Sequence, residues 1–236
     1  MVRSVSKVFR TFAALDECTR DGGIALTRRG VRLTPRVVLA DELGRTNPHA
    51  TEPFGGRTVV KKQFIIDDPN VSGAILAPYL YCDKPGAKLT VRVNGHSLSL
   101  RWKEKRDYWQ DTWTPIRVPA AFLQQGLNEV VFSGQEGAGW ALLVEHTRFP
   151  QRSAKSVDGG QTWSFNGLGG TGAFLHGEYM VRLELKRFAP QGIITSPPVD
   201  LALLAGAGGI AADAQVQYVR IAADTSQPAG TGVSLL

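Results

Sequence analysis

Residues 88–102 read KLTVRVNGHSLSLRW, and this stretch decides the fold class. From Leu89 to Val93, apolar residues alternate with polar ones, which is the pattern of a strand with one buried face. Asn94-Gly95 then supplies a two-residue turn of the primed type, because both residues accept positive φ angles. The alternation resumes between residues 98 and 102. The stretch therefore predicts an antiparallel β-hairpin.

Further strands are predicted along the chain, separated by turn residues. They fall at 23–26, 30–33, 59–66, 74–82, 129–132, 140–145, 177–188 and 215–224. The segment 47–56, NPHATEPFGG, is predicted to be a loop, and helix is expected only as a short turn near 119–126. Short strands at intervals of about 8–12 residues are typical of a sandwich. The predicted fold class is all-β.

Composition limits the classes of partner. The chain has 236 residues, of which 43% are hydrophobic and 20% charged, as in an ordinary globular protein. A net charge of +6 is compatible with acidic polymers, but the basic residues are scattered, which argues against nucleic acid. No apolar run approaches the roughly 20 residues of a membrane-spanning helix, and no signal peptide is predicted. Two cysteines, Cys18 and Cys82, leave a disulfide possible.

The order of the central strands resembles the galactose-binding-like jelly roll, an accessory module of carbohydrate-active enzymes. The resemblance covers roughly residues 60–147. It is carried by Val93-Asn94-Gly95, Ile116-Arg117-Val118-Pro119, Leu123, Gly126, Asn128, Val130 and Phe132. It implies a jelly-roll-like antiparallel β-sandwich, with additional strands towards the C-terminal end. It also implies a carbohydrate ligand and an extracellular setting.

A second motif follows at residues 156–163, SVDGGQTW. Two glycines behind an aspartate are typical of a tight turn in which the carboxylate accepts hydrogen bonds from the following amides. The spacing of Ser156, Asp158, Gly160, Thr162 and Trp163 also resembles the Asp-box, or BNR repeat, of sialidases and related glycosidases. In that family the motif is a structural hairpin away from the catalytic pocket. The resemblance therefore implies a structural role here, with Trp163 packed over the turn.

These patterns divide the chain into four parts. Residues 1–58 are expected to add strands and loops to a sandwich formed by residues 59–150. Residues 151–200 would hold the Asp-box hairpin and the strands that follow it. Residues 201–236 are interpreted as a linker and the start of a further β unit.

The aromatic-rich stretch 101–113, RWKEKRDYWQDTW, is the predicted ligand-binding segment. Sugars stack their apolar faces on aromatic rings, while polar side chains bind their hydroxyl groups. Trp102 and Trp113 fit the alternation of core residues, whereas the side chains between them fall in a charged loop. The predicted binding residues are Arg106, Asp107, Tyr108, Trp109, Gln110 and Asp111.

Candidate chemistry is sparse elsewhere. Glycoside hydrolysis needs a pair of carboxylates, and no spacing among the acidic residues singles out such a pair. The histidines form no zinc pattern. A structural calcium ion, which the jelly-roll resemblance implies, could use Asp67, Asp68 and Asp83. No catalytic residue is predicted.

The sequence favours a non-catalytic carbohydrate-binding or docking module of a larger carbohydrate-active protein. Two alternatives stay open: a fragment of a glycosidase or sialidase-like enzyme, and a purely structural β domain of an assembly. The sequence determines neither the oligomeric state nor the identity of the ligand.

Overall fold

The computed structural model describes residues 16–27, 30–39, 49–69, 71–103, 113–147, 150–170 and 176–198. The chain forms two compact units: Leu33–Gln191 is one, and Met1–Arg32 together with Gly192–Leu236 is the other. The predicted linker and last strands, from 201 to 236, lie outside the described residues. No helix in the described ranges is long and apolar enough to cross a membrane.

The described residues are almost entirely β-structure, so the predicted all-β class is confirmed. The strands β1 to β17 are Thr19–Arg20, Ile24–Thr27, Gly30–Leu33, Pro35–Leu39, His49–Phe54, Val59–Ile66, Gly73–Pro78, Leu80–Tyr81, Lys88–Val93, His96–Arg101, Ile116–Val118, Gly126–Gly134, Trp140–Glu145, Ser153–Ser156, Glu178–Tyr179, Val181–Phe188 and Ile194–Thr195. One turn of 3-10 helix, Ala120–Phe122, lies where the short helical turn was predicted.

The larger unit contains a five-stranded antiparallel sheet in the order β10-β9-β12-β6-β14. The hairpin of β9 and β10 is the one predicted from residues 88–102. Its turn has positive φ at both central residues, 49° at Asn94 and 85° at Gly95. Leu98 lies opposite Val91, and Leu100 lies opposite Leu89. The apolar residues of both strands therefore share one face of the sheet.

Two further antiparallel sheets complete this unit. One has the order β11-β7-β16-β4, and the other has the order β15-β13-β5, with β8 also paired to β13. Buried side chains from all three sheets form one core cluster, which includes Phe64, Phe132, Leu142 and Leu183. Burial of each such side chain contributes about 1.5–3 kcal/mol, so this shared core stabilises the sandwich. The sandwich also draws strands from outside residues 59–150, among them β4, β14 and β16.

The predicted loop at 47–56 is wrong, because His49–Phe54 forms β5 and pairs with β13. Pro53 and the following glycines suggested a loop. However, β5 lies at the edge of its sheet, where a proline is tolerated because it need not donate to a second neighbour. Glu52 and Phe54 are buried while Pro53 is exposed, as alternation in a strand requires.

The smaller unit contains two pairs of short strands. β2 pairs with β3, close to the two strands predicted at 23–26 and 30–33, and β1 pairs with β17. Cys18 of this unit and Cys82 of the sandwich are both buried.

Candidate ligand-binding site

Residues 156–163, referred to here as the Asp158 turn, form the turn of a β-hairpin. Lys155 and Ser164 face each other across it and exchange two backbone hydrogen bonds, of 2.9 and 2.8 Å. Strand β14 leads into the turn and pairs with β6. The turn is therefore attached directly to the edge of the five-stranded sheet.

The Asp158 carboxylate organises this turn. It accepts hydrogen bonds from the backbone N–H groups of Gln161 and Thr162 at 2.9 Å and from the Thr162 hydroxyl at 2.6 Å. The Ser156 hydroxyl donates to the same carboxylate at 2.6 Å and accepts the N–H of Gly160 at 2.8 Å. The bonds from the Ser156 and Thr162 hydroxyls hold the pKa of Asp158 well below its usual range. An ionised Asp158 therefore belongs to the folded state.

The glycines of the turn are required by its backbone. Gly159 and Gly160 have φ angles of 81° and 96°, which side chains other than glycine rarely adopt. The Trp163 ring packs over this part of the turn, at van der Waals distance from Gly160. The N–H of Gly159 donates to the carbonyl of Arg57 at 2.8 Å, which ties the turn to the segment before β6.

Trp163 connects the turn to the outer face of the sheet. The Lys61 ammonium of β6 lies 4.0 Å from the centre of the Trp163 ring, within the range of a cation–π interaction. The same ammonium forms an ion pair with Glu129 of β12 at 3.0 Å. Lys61 therefore fixes an aromatic ring and a carboxylate side by side at the sheet surface.

A cleft lies between the Asp158 turn and this surface. It encloses about 230 Å³, and its lining includes Arg92, Glu129, Trp163 and the glycines of two turns, Gly95 and Gly160. This volume is below the roughly 300–1,000 Å³ of pockets for drug-sized ligands, so the cleft fits one small polar group. Arg92 is exposed, and none of the described carboxylates forms an ion pair with it. Its guanidinium is available to an outside acceptor.

The polar groups of this cleft determine what it can do chemically. Glu129 is the one carboxylate among the described residues that line it, and Lys61 already neutralises that group. Hydrolysis of a glycosidic bond ordinarily uses two carboxylates that flank the bond. An aromatic ring, an arginine and a paired acid instead offer a ligand apolar ring surface and hydrogen-bonding groups.

A second polar cluster lies inside the sandwich. Lys62 and Glu178 are both completely buried and form an ion pair at 2.6 Å. Glu178 also accepts the Arg152 N–H and the Ser153 hydroxyl, each at 2.5 Å. Glu145 lies opposite Glu178 across β13 and β15 and is only 5% exposed. These carboxylates belong to the core and are closed to a large substrate.

Glu52 and Tyr179 extend this buried cluster. Burial raises the pKa of Glu52, although the nearby Lys155 ammonium and the Gly169 N–H, at 2.7 Å, oppose the shift. Burial also raises the pKa of Tyr179 well above its usual value, and the Glu52 carboxylate adds to that effect. The Tyr179 hydroxyl lies close to Glu52 but has no hydrogen bond of normal geometry. Tyr179 is therefore neutral in the folded protein.

The predicted binding residues of the aromatic loop lie outside the described residues: Arg106, Asp107, Tyr108, Trp109, Gln110 and Asp111. The tryptophans on either side are described. Trp102 is buried and packs edge-on against Trp140, with 5.6 Å between ring centres. Trp113 is half-buried, with the Arg182 guanidinium 3.8 Å from its ring centre.

The predicted calcium ligands are engaged in other contacts. Asp67 forms an ion pair with Arg187 at 2.8 Å, and this hydrogen bond lowers the pKa of Asp67. Asp67 also accepts the N–H of Asp68 at 2.8 Å, and the Asp83 carboxylate packs against Gly139. Within the described ranges, no group of three or more His, Cys, Asp or Glu side chains is placed to hold a metal ion. The calcium site stays a prediction.

Arg92, Lys61 and Glu129 were not among the predicted site residues. Each belongs to a different strand, so only the register of β9, β12 and β6 brings them together. A usable signal was present at Arg92, which the alternation of β9 places on the outward face, next to the turn of the predicted hairpin. Comparison of the chain with protein-family models, with curated proteins and with solved structures found no match in any of the three.

Proposed function

We propose that this chain is a non-catalytic carbohydrate-binding module that acts as part of a larger carbohydrate-active protein. The observation that supports the proposal is the cleft between the Asp158 turn and the five-stranded sheet, which brings Trp163, Arg92 and Glu129 together. Arg92 and Glu129 lie on the paired strands β9 and β12, and Trp163 belongs to the hydrogen-bonded Asp158 turn, so little conformational entropy is lost on binding. The proposal implies an extracellular setting, where polysaccharides are abundant.

The cleft accounts for both parts of sugar recognition. The half-buried Trp163 offers apolar ring surface to sugar C–H groups, and the exposed Arg92 offers several N–H donors to hydroxyl or carboxylate oxygens. Contacts of this kind in a small cleft give weak binding. We expect dissociation constants of roughly 10 μM to 1 mM.

The test is a glycan array followed by titration calorimetry of the positive glycans. The parent should bind at least one class of glycan, and Arg92→Ala should weaken that binding roughly three- to fivefold, as expected for loss of one exposed charged contact. Arg117→Ala is the matched control, because Arg117 is also an exposed strand arginine but lies in the sheet of β11. A parent that binds no glycan would contradict the proposal and favour a docking or structural domain.

A further inference from the structure

The outer face of the five-stranded sheet continues beyond the cleft. A second, more open cleft of about 560 Å³ lies on the same two strands, β9 and β12, and is lined by Lys88, Thr90, Ser133 and Gln135. The two clefts follow one another along the strands, since Ser133 lies opposite Thr90 and Val131 lies opposite Arg92. Lys88 and Arg92 are four residues apart, which corresponds to roughly 13 Å along a strand.

Charges and hydroxyl groups are ordered in rows across this face. Residues directly opposite in an antiparallel pair point to the same side of the sheet. Arg101 lies opposite Lys88, Ser99 opposite Thr90, and Ser97 opposite Arg92. The middle row of hydroxyls, Ser99, Thr90 and Ser133, thus separates a basic row at Lys88 and Arg101 from a basic row at Arg92.

The face carries an excess of positive charge. Lys88, Arg92 and Arg101 are exposed, and none of them has an ion-pair partner among the described residues. Glu129 is the acidic side chain lining the two clefts, and it is paired with Lys61. A neutral sugar would leave the three cations without acceptors. An anionic ligand would pair with them and gain charge-assisted hydrogen bonds.

We propose that this face binds an acidic polysaccharide of the polyuronate class, which lies along β9 and β12. Its carboxylates would pair with Lys88 and Arg92, and its hydroxyl groups would bond to Thr90 and Ser133 between them. This inference rests on the proposed carbohydrate-binding function and adds the class of ligand and its direction on the sheet. The spacing of the basic rows requires a ligand longer than one sugar.

The experiment titrates the full chain with oligogalacturonates of two to eight sugars, and with the same oligomers after methyl esterification of their carboxyl groups. Affinity should increase with oligomer length until both clefts are filled, and it should decrease as salt is raised. Esterification removes the charge but keeps the hydroxyl groups and the ring. It should therefore abolish most of the binding.

The variants separate this face from general charge attraction. The double variant Lys88→Ala/Arg92→Ala should bind the octamer roughly tenfold more weakly, the sum of two modest exposed charge contacts. The matched control Lys186→Ala/Arg117→Ala removes two exposed basic residues from the sheet of β11 and β16. This variant should bind the octamer like the parent. Equal weakening in both double variants would overturn the inference.

The remaining outcomes distinguish the two proposals. Equal binding of the charged and esterified oligomers would overturn the anionic class while the carbohydrate-binding function stands. If the chain binds neutral glycans on the array but neither set of oligomers, the anionic class is again overturned and the carbohydrate-binding function again stands. Equal affinity for single-stranded DNA of matched charge would assign the face to polyanions in general and overturn the polyuronate inference. Absence of binding to every glycan would remove both proposals.

Discussion

The Asp158 carboxylate takes hydrogen bonds from four donors of its own turn: the Ser156 hydroxyl, the Gln161 N–H, and the N–H and hydroxyl of Thr162. A charged acceptor strengthens each of these bonds. Because they form only in the folded chain, they lower the pKa of Asp158 in that state relative to the unfolded state. The stability of the turn therefore depends on the protonation state of the Asp158 carboxylate.

The direction of the pH dependence follows from the lowered pKa. A lowered folded-state pKa gives stability that is present above the unfolded-state value and is lost as the pH falls through the folded-state value. Asp158→Asn should lower the melting temperature at pH 7 by roughly 3–8 °C. The difference from the parent should then shrink as the pH falls below about 4, because the aspartate of the unfolded chain becomes protonated there while that of the folded chain is still ionised.

Thermal unfolding at pH 7, 5, 3.5 and 2.5 measures this difference. Glu136→Gln is the control, because Glu136 is an exposed carboxylate outside the turn. A melting-temperature gap between Asp158→Asn and the parent that stays constant over the whole pH range would contradict the account.

At the scale of elements, the buried pair of Lys62 and Glu178 joins two sheets of the sandwich. Lys62 belongs to β6 in the five-stranded sheet, and Glu178 belongs to β15 in the sheet of β13. Removal of one partner leaves an uncompensated charge in the core, which is more costly than removal of both.

We expect Lys62→Met to cost about 3–5 kcal/mol of unfolding free energy. Glu178→Gln keeps an acceptor for the Arg152 N–H. The double variant Lys62→Met/Glu178→Gln should therefore be more stable than the sum of the two single effects predicts, by about 1 kcal/mol or more. Urea unfolding measures all three variants, with the exposed Lys88→Met as the control. Strict additivity would show that the two side chains do not interact.

Prediction from sequence succeeded where local chemistry decides the structure. The β9–β10 hairpin was predicted because Asn94-Gly95 selects its turn type. The alternation of the few residues on either side of that turn sets the strand register. It failed for β5, whose Pro53 is acceptable only because the strand lies at an edge, which is a property of the whole sheet. It also gave no sign of Lys62 in the core, since a charged side chain points inward only when a distant partner such as Glu178 meets it. The candidate cleft needed the register of three strands, which alternation alone does not provide.

At the scale of the whole molecule, the strand pairings of the sandwich are all contained within residues 33–191. The first of its strands, β4, begins at Pro35, and the last, β16, ends at Phe188. The core cluster also lies entirely within this range. The sandwich thus has the pairings and the apolar core of an independent folding unit.

A chain shortened to residues 33–191 should fold by itself. Its far-ultraviolet circular dichroism should be that of β-structure, and it should unfold in urea in one cooperative transition. It should also keep the glycan affinity of the full chain, since the cleft and the basic rows lie within this range. A shortened chain without a cooperative transition would show that the smaller unit is needed for folding.

The hairpin that carries the Asp158 turn also covers part of an edge of the five-stranded sheet. Strand β14 is the last strand of its sheet, and an uncovered last strand can template the addition of a strand from another molecule. The outward N–H and C=O groups of Lys155 form hydrogen bonds with the backbone of Ser164. Part of this strand edge is therefore already paired within the chain. Loss of the turn would leave these backbone groups of β14 unpaired and able to bond to a strand of a neighbouring molecule. Damage at Asp158 would then lead to intermolecular aggregation during mild heating.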